Sequence, residues 1–473
     1  MSGERRVSRV ADPRQPESSA GYPAIVRIAG FAIAALAGAI GCFAPDPPRG
    51  LPCSPTGGCP AGQTCNQATD PPTCDGVAMI VDAPGVVDGA PDATSCSAGC
   101  PATAPVCGVD GTCRGCVADD ECPSGACFES DGTCIAETAA LYVAPTGGFG
   151  GGGTCPRMAP CATISEAIAQ ADPTRSFVVV APGTYNDHLL AWPAFRVVVS
   201  GPDRDPASAT IDRATAGMPI VDVPATGIAV IEGITMTNAA GNVGVRCRGE
   251  CVLRRIASTY HANRGLDIYS TANAIVDLSR FEHNAGIGLD SNGRLLLTRS
   301  VSAHNGDTGV HLSNNYFEVS NVLVFSNGNG TVDGGGVEIG GTIAAGSRFE
   351  FATVVDNFAM AMTEGGGIQC TPASGTIAVT NAVVARNSAP NVQLGTGCTA
   401  SYVLTSAGAL PGTGNVVADP MFVDEMNEDF HLAAGSPAIG IADPAATLAI
   451  DLDGDPRPAP VGSRRDVGSD EVP

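Results

Sequence analysis

Aromatic side chains are scarce in this chain, at 5% of 473 residues with a single Trp. That argues against a large helical core and leaves few flat platforms for sugar rings: Tyr260, Tyr269 and Tyr316 in the repeats, and Trp192 ahead of them. Basic residues are also few, 25 against 48 acidic, and the net charge of −23 disfavours nucleic acid and anionic surfaces by repulsion. A surface of that sign keeps an exposed protein soluble and attracts divalent cations. The apolar run at 28–40 is 13 residues, short of the about 20 that a helix needs to cross a bilayer. Gly is abundant instead, 60 residues, which favours turn-rich β structure because Gly relieves the backbone wherever φ must be positive.

Arg5, Arg6, Arg9, Arg14 and Arg27 precede that short apolar run. The pattern reads as a cleaved export signal over 1–41. Ala39, Ile40, Gly41 and Cys42 resemble the bacterial lipobox, although Leu is usual where Ala39 stands. The resemblance implies that Cys42 is diacylated and becomes the first residue of the mature chain. Phe43 follows, where an Asp would resemble the inner-membrane retention signal. The implied address is therefore the outer membrane and cell surface, with the membrane reached through the lipid alone.

Nineteen Cys is an odd number, but setting Cys42 aside leaves eighteen in even groups. Cys53, Cys59, Cys65 and Cys74 make four, and Cys96, Cys100, Cys107, Cys113, Cys116, Cys122, Cys127 and Cys134 make eight. The remaining six pair by proximity: Cys155 with Cys161, Cys247 with Cys251, and Cys370 with Cys398. Even parity points to an oxidising compartment. Both dense groups are filled with Pro, Gly, Thr and Asp, so disulfides must order them where an apolar core cannot. They read as a stalk, with 81–94 as a disordered spacer. Cys113 and Cys116 form one CxxC, but no second pair of zinc spacing accompanies it, so no metal is expected there. The phrase from Cys116 to Cys134 resembles the short Cys-rich repeats of bacterial surface lipoproteins.

The centre of the chain repeats. Asn238, Asn263, Asn284, Asn305, Asn327, Asn357 and Asn387 recur at spacings of 25, 21, 21, 22, 30 and 30 residues, each followed by Gly and an apolar alternation. A period of that length with strand-like alternation inside it predicts a solenoid. The Asn column is explained by turn geometry and by amides stacked along the axis, since Asn tolerates the left-handed backbone. His283 and His304, which precede two of these Asn, read as stacked turn residues rather than metal ligands.

One strand per coil can be registered on Gly244, Gly265, Gly288, Gly309, Gly336 and Gly367. Period two then sends Val245 and Cys247, Leu266 and Ile268, Val310 and Leu312, Val337 and Ile339, and Ile368 and Cys370 inward, with Ser291 as an inward polar exception. The outward column reads Arg246, Asp267, Asp290, His311, Glu338, Gln369, the arrangement in the chain that looks like chemistry. Stacked at about 4.8 Å, Asp267 and Asp290 come within about 5 to 6 Å, near the separation of a retaining glycosidase pair. Their mutual repulsion would raise one pKa, as general acid catalysis requires. His311 is placed to shuttle the proton, and Arg246 and Glu338 to bind. The same column in other proteins simply keeps a long solenoid face soluble.

Thr163, Ile164, Ser165 and Glu166 form a capping box, and Ile164, Ala167, Ile168 and Ala171 follow at helical spacing. A short helix is thus expected before strands at 177–180 and 197–199, where it would cover the open end of the stack. The run 141–190, containing YVAPTGG, PCATISEAIAQA and VVVAPGTYNDHLL, looks like the start of right-handed parallel β-helix proteins of the pectate-lyase-like superfamily. That resemblance implies a helix capping the first coil and, for a lyase, Ca²⁺ at carboxylates with an Arg or Lys base, for which Arg246 is the candidate. From Asp419 the text DPMFVDEMNEDFHLAAGSPAIGIAD, then DLDGDPRP and DVGSDE, resembles the terminal segment called choice-of-anchor Q in bacterial β-helix proteins. Asp451, Asp453 and Asp455 alternate like a calcium loop, but Pro456 stands where its Gly belongs, and tight Asp/Gly turns explain the same letters.

The organisation read from these signals is an export signal at 1–41, a Cys/Pro/Asp-rich linker and small module at 42–95, and a disulfide-rich module at 96–138. An all-β, right-handed parallel β-helix follows at 139–418, and a terminal wrap at 419–473. The expected function is a surface lipoprotein that displays a binding surface for polysaccharide or another surface glycan. The rival is a polysaccharide lyase or glycoside hydrolase acting through Asp267, Asp290 and His311. No cofactor is required by the binding reading, and Ca²⁺ enters with the lyase reading.

Overall fold

Alternation of period two within each repeat makes a strand with one apolar face, and a strand of three to five residues cannot bury that face alone. Stacking successive turns of one spiral buries it continuously. The computed structural model describes residues 51–52, 63–66, 73–76, 96 and 99–473, without 109–110, 129–130, 146–153, 216, 330–334, 360–365 and 389–392. The export segment, Cys42, the spacer 81–94 and the side chains of the first Cys group lie outside these residues. Among the described residues no helix is long and apolar enough to cross a membrane.

The chain is a parallel β-helix. Each coil contributes three strands, as in Val245–Cys247, Glu250–Arg254 and Ala257–Thr259. On the first face seven strands stack in parallel and in chain order, from Val221–Val223 to Ile368–Pro372. The other two faces belong to one larger sheet of 19 strands. In the later coils the second and third strands run together, as in Arg294–Ala303, Phe317–Phe325 and Arg348–Val355, turning at the left-handed residues Arg299, Asn321 and Phe351. The ten inward residues expected from alternation are each at most 5% exposed, and Ser291 lies inside with them. They belong to one core that extends from Leu141 to Val403.

A second column runs inside the corner after the third strand. Asn284 Nδ2 donates to Asn305 Oδ1 (2.9 Å), Asn305 to Asn327 (2.8 Å), Asn327 to Asn357 (3.0 Å) and Asn357 to Asn387 (2.9 Å). Gln393 Oε1 closes the series by accepting from Asn387 (2.8 Å). Each amide oxygen also accepts the backbone N–H of the rung before it. Two expectations are corrected here. Asn238 and Asn263 are exposed and lie outside the ladder, whose slots in those coils are held by Ala239 and by His261. The left-handed residue is the one before each rung, Asn238, Tyr260, His283, His304, Ser326, Asp356 and Arg386, so the rung Asn is chosen for its amide and not for its φ.

The ladder explains the Gly column. A Cβ on Gly288 would lie 2.6 Å from Asn305 Nδ2, on Gly309 2.6 Å from Asn327 Nδ2, and on Gly367 2.6 Å from Asn387 Nδ2. Gly is therefore required where an amide presses on the strand entry. The coil whose rung is Ala239 has no amide at the slot, and there Ile220 replaces Gly before Val221.

The first coils are covered by two segments. Helix Ile164–Ala169 buries Ile164, Ala167 and Ile168 in the core beside strands Ala140–Val143 and Phe177–Val180. Thr163 Oγ1 accepts from Glu166 N–H (3.2 Å), while the second cap comes from Asp187, whose Oδ2 accepts from Ser165 N–H (2.8 Å). The eight-Cys segment is cross-linked Cys96–Cys107, Cys100–Cys113, Cys116–Cys127 and Cys122–Cys134. Each closes a loop of 11 to 13 residues, a constraint worth about 3 kcal/mol by chain entropy. Its second half is docked on the solenoid. Phe128 and Ala126 are buried against Phe177, Val198 and Val230, and Arg204 reaches from the solenoid to Asp119 and to the carbonyls of Cys127 (3.0 Å) and Val117 (2.9 Å).

At the other end 419–473 lies along the third face. Phe422, Phe430, Leu432 and Val467 share a core with Val301, Phe325, Phe351 and Val383. Arg457 is fully buried, paired with Glu471 (3.3 Å) and lying 4.8 Å from the centre of the Phe351 ring. Asp451 Oδ1 accepts the N–H groups of Asp453, Gly454 and Asp455, and its Oδ2 that of Glu471, so this Asp organises a tight turn.

Candidate functional site

The first face places one outward residue per coil in register: Asp222, Arg246, Asp267, Asp290, His311, Glu338 and Gln369. Asp222 heads the column but escapes registration on Gly because Ile220 precedes its strand. Asp267 and Asp290 are only 6% and 3% exposed, although alternation alone turns them to solvent. Arginines roof them. Arg264, in the loop before the Asp267 strand, lies 3.7 Å from Asp267 and 3.0 Å from Asp290. Arg246 lies 3.6 Å from Asp222 and 4.0 Å from Asp267, and Arg248 holds Asp222 at 2.7 Å. His311 Nδ1 is 2.7 Å from Asp290 Oδ1.

The column thus holds two stacked carboxylates between cations, and each of its three Asp already has cationic partners. Burial raises the pKa of Asp267, Arg264 opposes that rise, and the neighbouring charge of Asp290 adds to it. The expected repulsion between the two carboxylates is present but second to desolvation. The hydrogen bond to Asp290 raises the pKa of His311, against the pull of its burial. Two guanidinium groups within 4.0 Å of the Asp pair compete for the oxygens a divalent cation would need. Glu338 follows His311 in register and supports its charge electrostatically. Arg246, with its side chain 24% exposed, is shared between two carboxylates and accepted by Asn242 Oδ1 (2.9 Å).

A comparable column occurs at another corner, with Glu232, Arg254 and Asp277 in register. Arg299 donates to Asp277 (2.9 Å), Arg254 lies 3.9 Å from it, and Ser200 donates to Glu232 (3.1 Å). Interleaving opposite charges is therefore a way this solenoid stacks polar residues. Sequence reasoning missed Arg264, Asp222 and Arg248. Arg264 could have been found from its place directly before Gly265 and three residues before Asp267, a spacing that folds a long side chain over the strand.

The disulfides Cys155–Cys161, Cys247–Cys251 and Cys370–Cys398 are formed. The second closes the turn directly beyond Arg246 and steadies the column there. Of the candidate sugar platforms, Trp192 is buried with Nε1 donating to Leu189 O (3.0 Å), and Tyr316 is held by Glu318 and faces Arg294. Tyr260 and Tyr269 are exposed.

No protein-family model and no curated protein matches this sequence. Among solved structures the fold is similar to that of the pectate lyase Pel9A, with a TM-score of 0.57 and 17% identity over 76% of this chain and 100% of that one. A pectin methylesterase from Aspergillus niger in deglycosylated form gives a TM-score of 0.35 and 14% identity over 64% of this chain and 92% of that one, too loose a superposition to add to it. At 17% identity the first likeness shows the shared parallel β-helix.

Proposed function

We propose that this chain is a lipid-anchored outer-membrane protein whose β-helix binds polysaccharide at the cell surface without turning it over. The observation that carries this reading is the paired state of the column: Asp267 and Asp290 are roofed by Arg246 and Arg264 and bonded to His311. A general acid must be free to give up its proton to a substrate, and a lyase base must be free of a carboxylate. Neither condition suits a column that is already neutralised. The lipobox-like Cys42, the even set of remaining Cys and the choice-of-anchor Q-like terminus support the surface address, and the pectate lyase-like fold supports a glycan as ligand. Cys42→Ala is expected to abolish incorporation of labelled fatty acid, and retained label would reject the anchor. For the function, the mature chain is incubated with a panel of polysaccharides with and without a chelator. Retention without new reducing ends or unsaturated products is expected in both conditions. Product formation would instead favour the lyase or hydrolase reading.

A further inference from the structure

The left-handed corner before the ladder carries a stack of rings that the charged column does not use. Tyr260, His283 and His304 occupy that corner in successive coils. The Tyr260 and His283 rings lie 4.9 Å apart and 4° from parallel, and His283 and His304 4.8 Å apart and 5° from parallel. At this spacing each ring is the flat floor for the next. The stack stops at Tyr260 because the corner beyond it carries Asn238, a shorter side chain whose Nδ2 is bonded to Asp212 (2.8 Å). Tyr260 is left 59% exposed. An open groove of about 440 Å³ lies there, lined by Asn238, Ala239, Ala240, Tyr260, Ala262 and His283.

We propose that this groove is a subsite for one neutral hexopyranosyl unit of a polysaccharide, an assignment that rests on the glycan-binding reading above. A pyranose has a flat C–H face and a rim of hydroxyls. The C–H face continues the ring stack on Tyr260, the Ala methyl groups leave room for the ring, and the Asn238 amide meets the hydroxyl rim. Asp212 beside Asn238, in a chain of net charge −23, repels a uronate at the same place.

The test uses the mature chain with neutral hexasaccharides of glucose, mannose or galactose, and with hexagalacturonate, as probes. Tyr260→Asn removes the ring yet keeps a residue that already tolerates this corner at Asn238, and Tyr260→Phe keeps the stacking face. A neutral probe is expected to bind and to shift the His283 imidazole resonances. Tyr260→Phe should stay within about twofold of the parent, and Tyr260→Asn should weaken binding by about tenfold and abolish the His283 shift. Unaltered binding in Tyr260→Asn, or tighter binding of hexagalacturonate, overturns the subsite while leaving the wider reading standing. Failure of the parent chain to retain any polysaccharide or probe overturns both.

Discussion

Two columns run along the same solenoid, and they solve the stacking of polar residues differently. From Asn284 to Asn387 the ladder repeats one letter, is buried at every rung, and satisfies each amide with the next, the last with Gln393. The charged column mixes acidic and basic letters, stacks Asp267 directly on Asp290, and is held together by arginines that remain partly exposed above them. Identical neutral groups at strand spacing reinforce one another, whereas identical charges would repel. A varied column is therefore no proof of chemistry, and a uniform one no proof of its absence. What distinguishes them is the energetic consequence of breaking a member.

The largest effect should come from the ladder. Asn327→Ala leaves the Asn305 N–H and Nδ2 without their acceptor in the buried interior, and a loss of about 3–5 kcal/mol is expected in denaturant unfolding. A loss below about 1 kcal/mol would show that water replaces the rung. Gly288→Ala comes next. Its Cβ would meet Ser302 Oγ at 2.2 Å and Gly309 O at 2.6 Å, which predicts about 2–3 kcal/mol. The same substitution should be relieved where the rung amide is absent, as Ile220 opposite Ala239 already illustrates.

Each column holds one His, and their responses to pH should be opposite. Burial lowers the pKa of His261, the His in the ladder, to about 3. The unfolded state then binds the proton first, so stability from this site is complete above about pH 6.5 and falls as pH drops toward 3. His261→Asn should fold and lose that acid sensitivity. His311 has its pKa raised, first by its bond to Asp290, so its contribution is present below about pH 6.5 and lost as pH rises through the folded value. His311→Gln should flatten that alkaline limb. Asp290→Asn should cost the least, within about 1–2 kcal/mol, because its cations are partly solvated and stay so.

The period, the Gly registration and the inward pairs were legible because alternation and a repeated small residue are written directly in the letters. The ladder was legible from Asn284 onward. It was misregistered at Asn238 and Asn263 because an Asn also suits the left-handed corner or an exposed loop, and one letter serves several geometries. The column order was readable for the same reason as the register, but its roof was not. Arg264 lies outside the strand, and which carboxylate it covers depends on a loop path that period cannot supply. The docking of Phe128 on Val198 and Val230 was hidden in a segment whose composition of Cys, Pro and Gly reads as a stalk.

On the function proposed above, the charged column is a self-paired scaffold, and glycan recognition at the ring stack is independent of it. The double variant Asp267→Asn/Asp290→Asn tests this most directly, assayed for retention and for product release on a polysaccharide that the parent chain retains. Unchanged retention is expected, with no products from either protein. Products from the parent that vanish in the variant would contradict it and make the column a catalytic site.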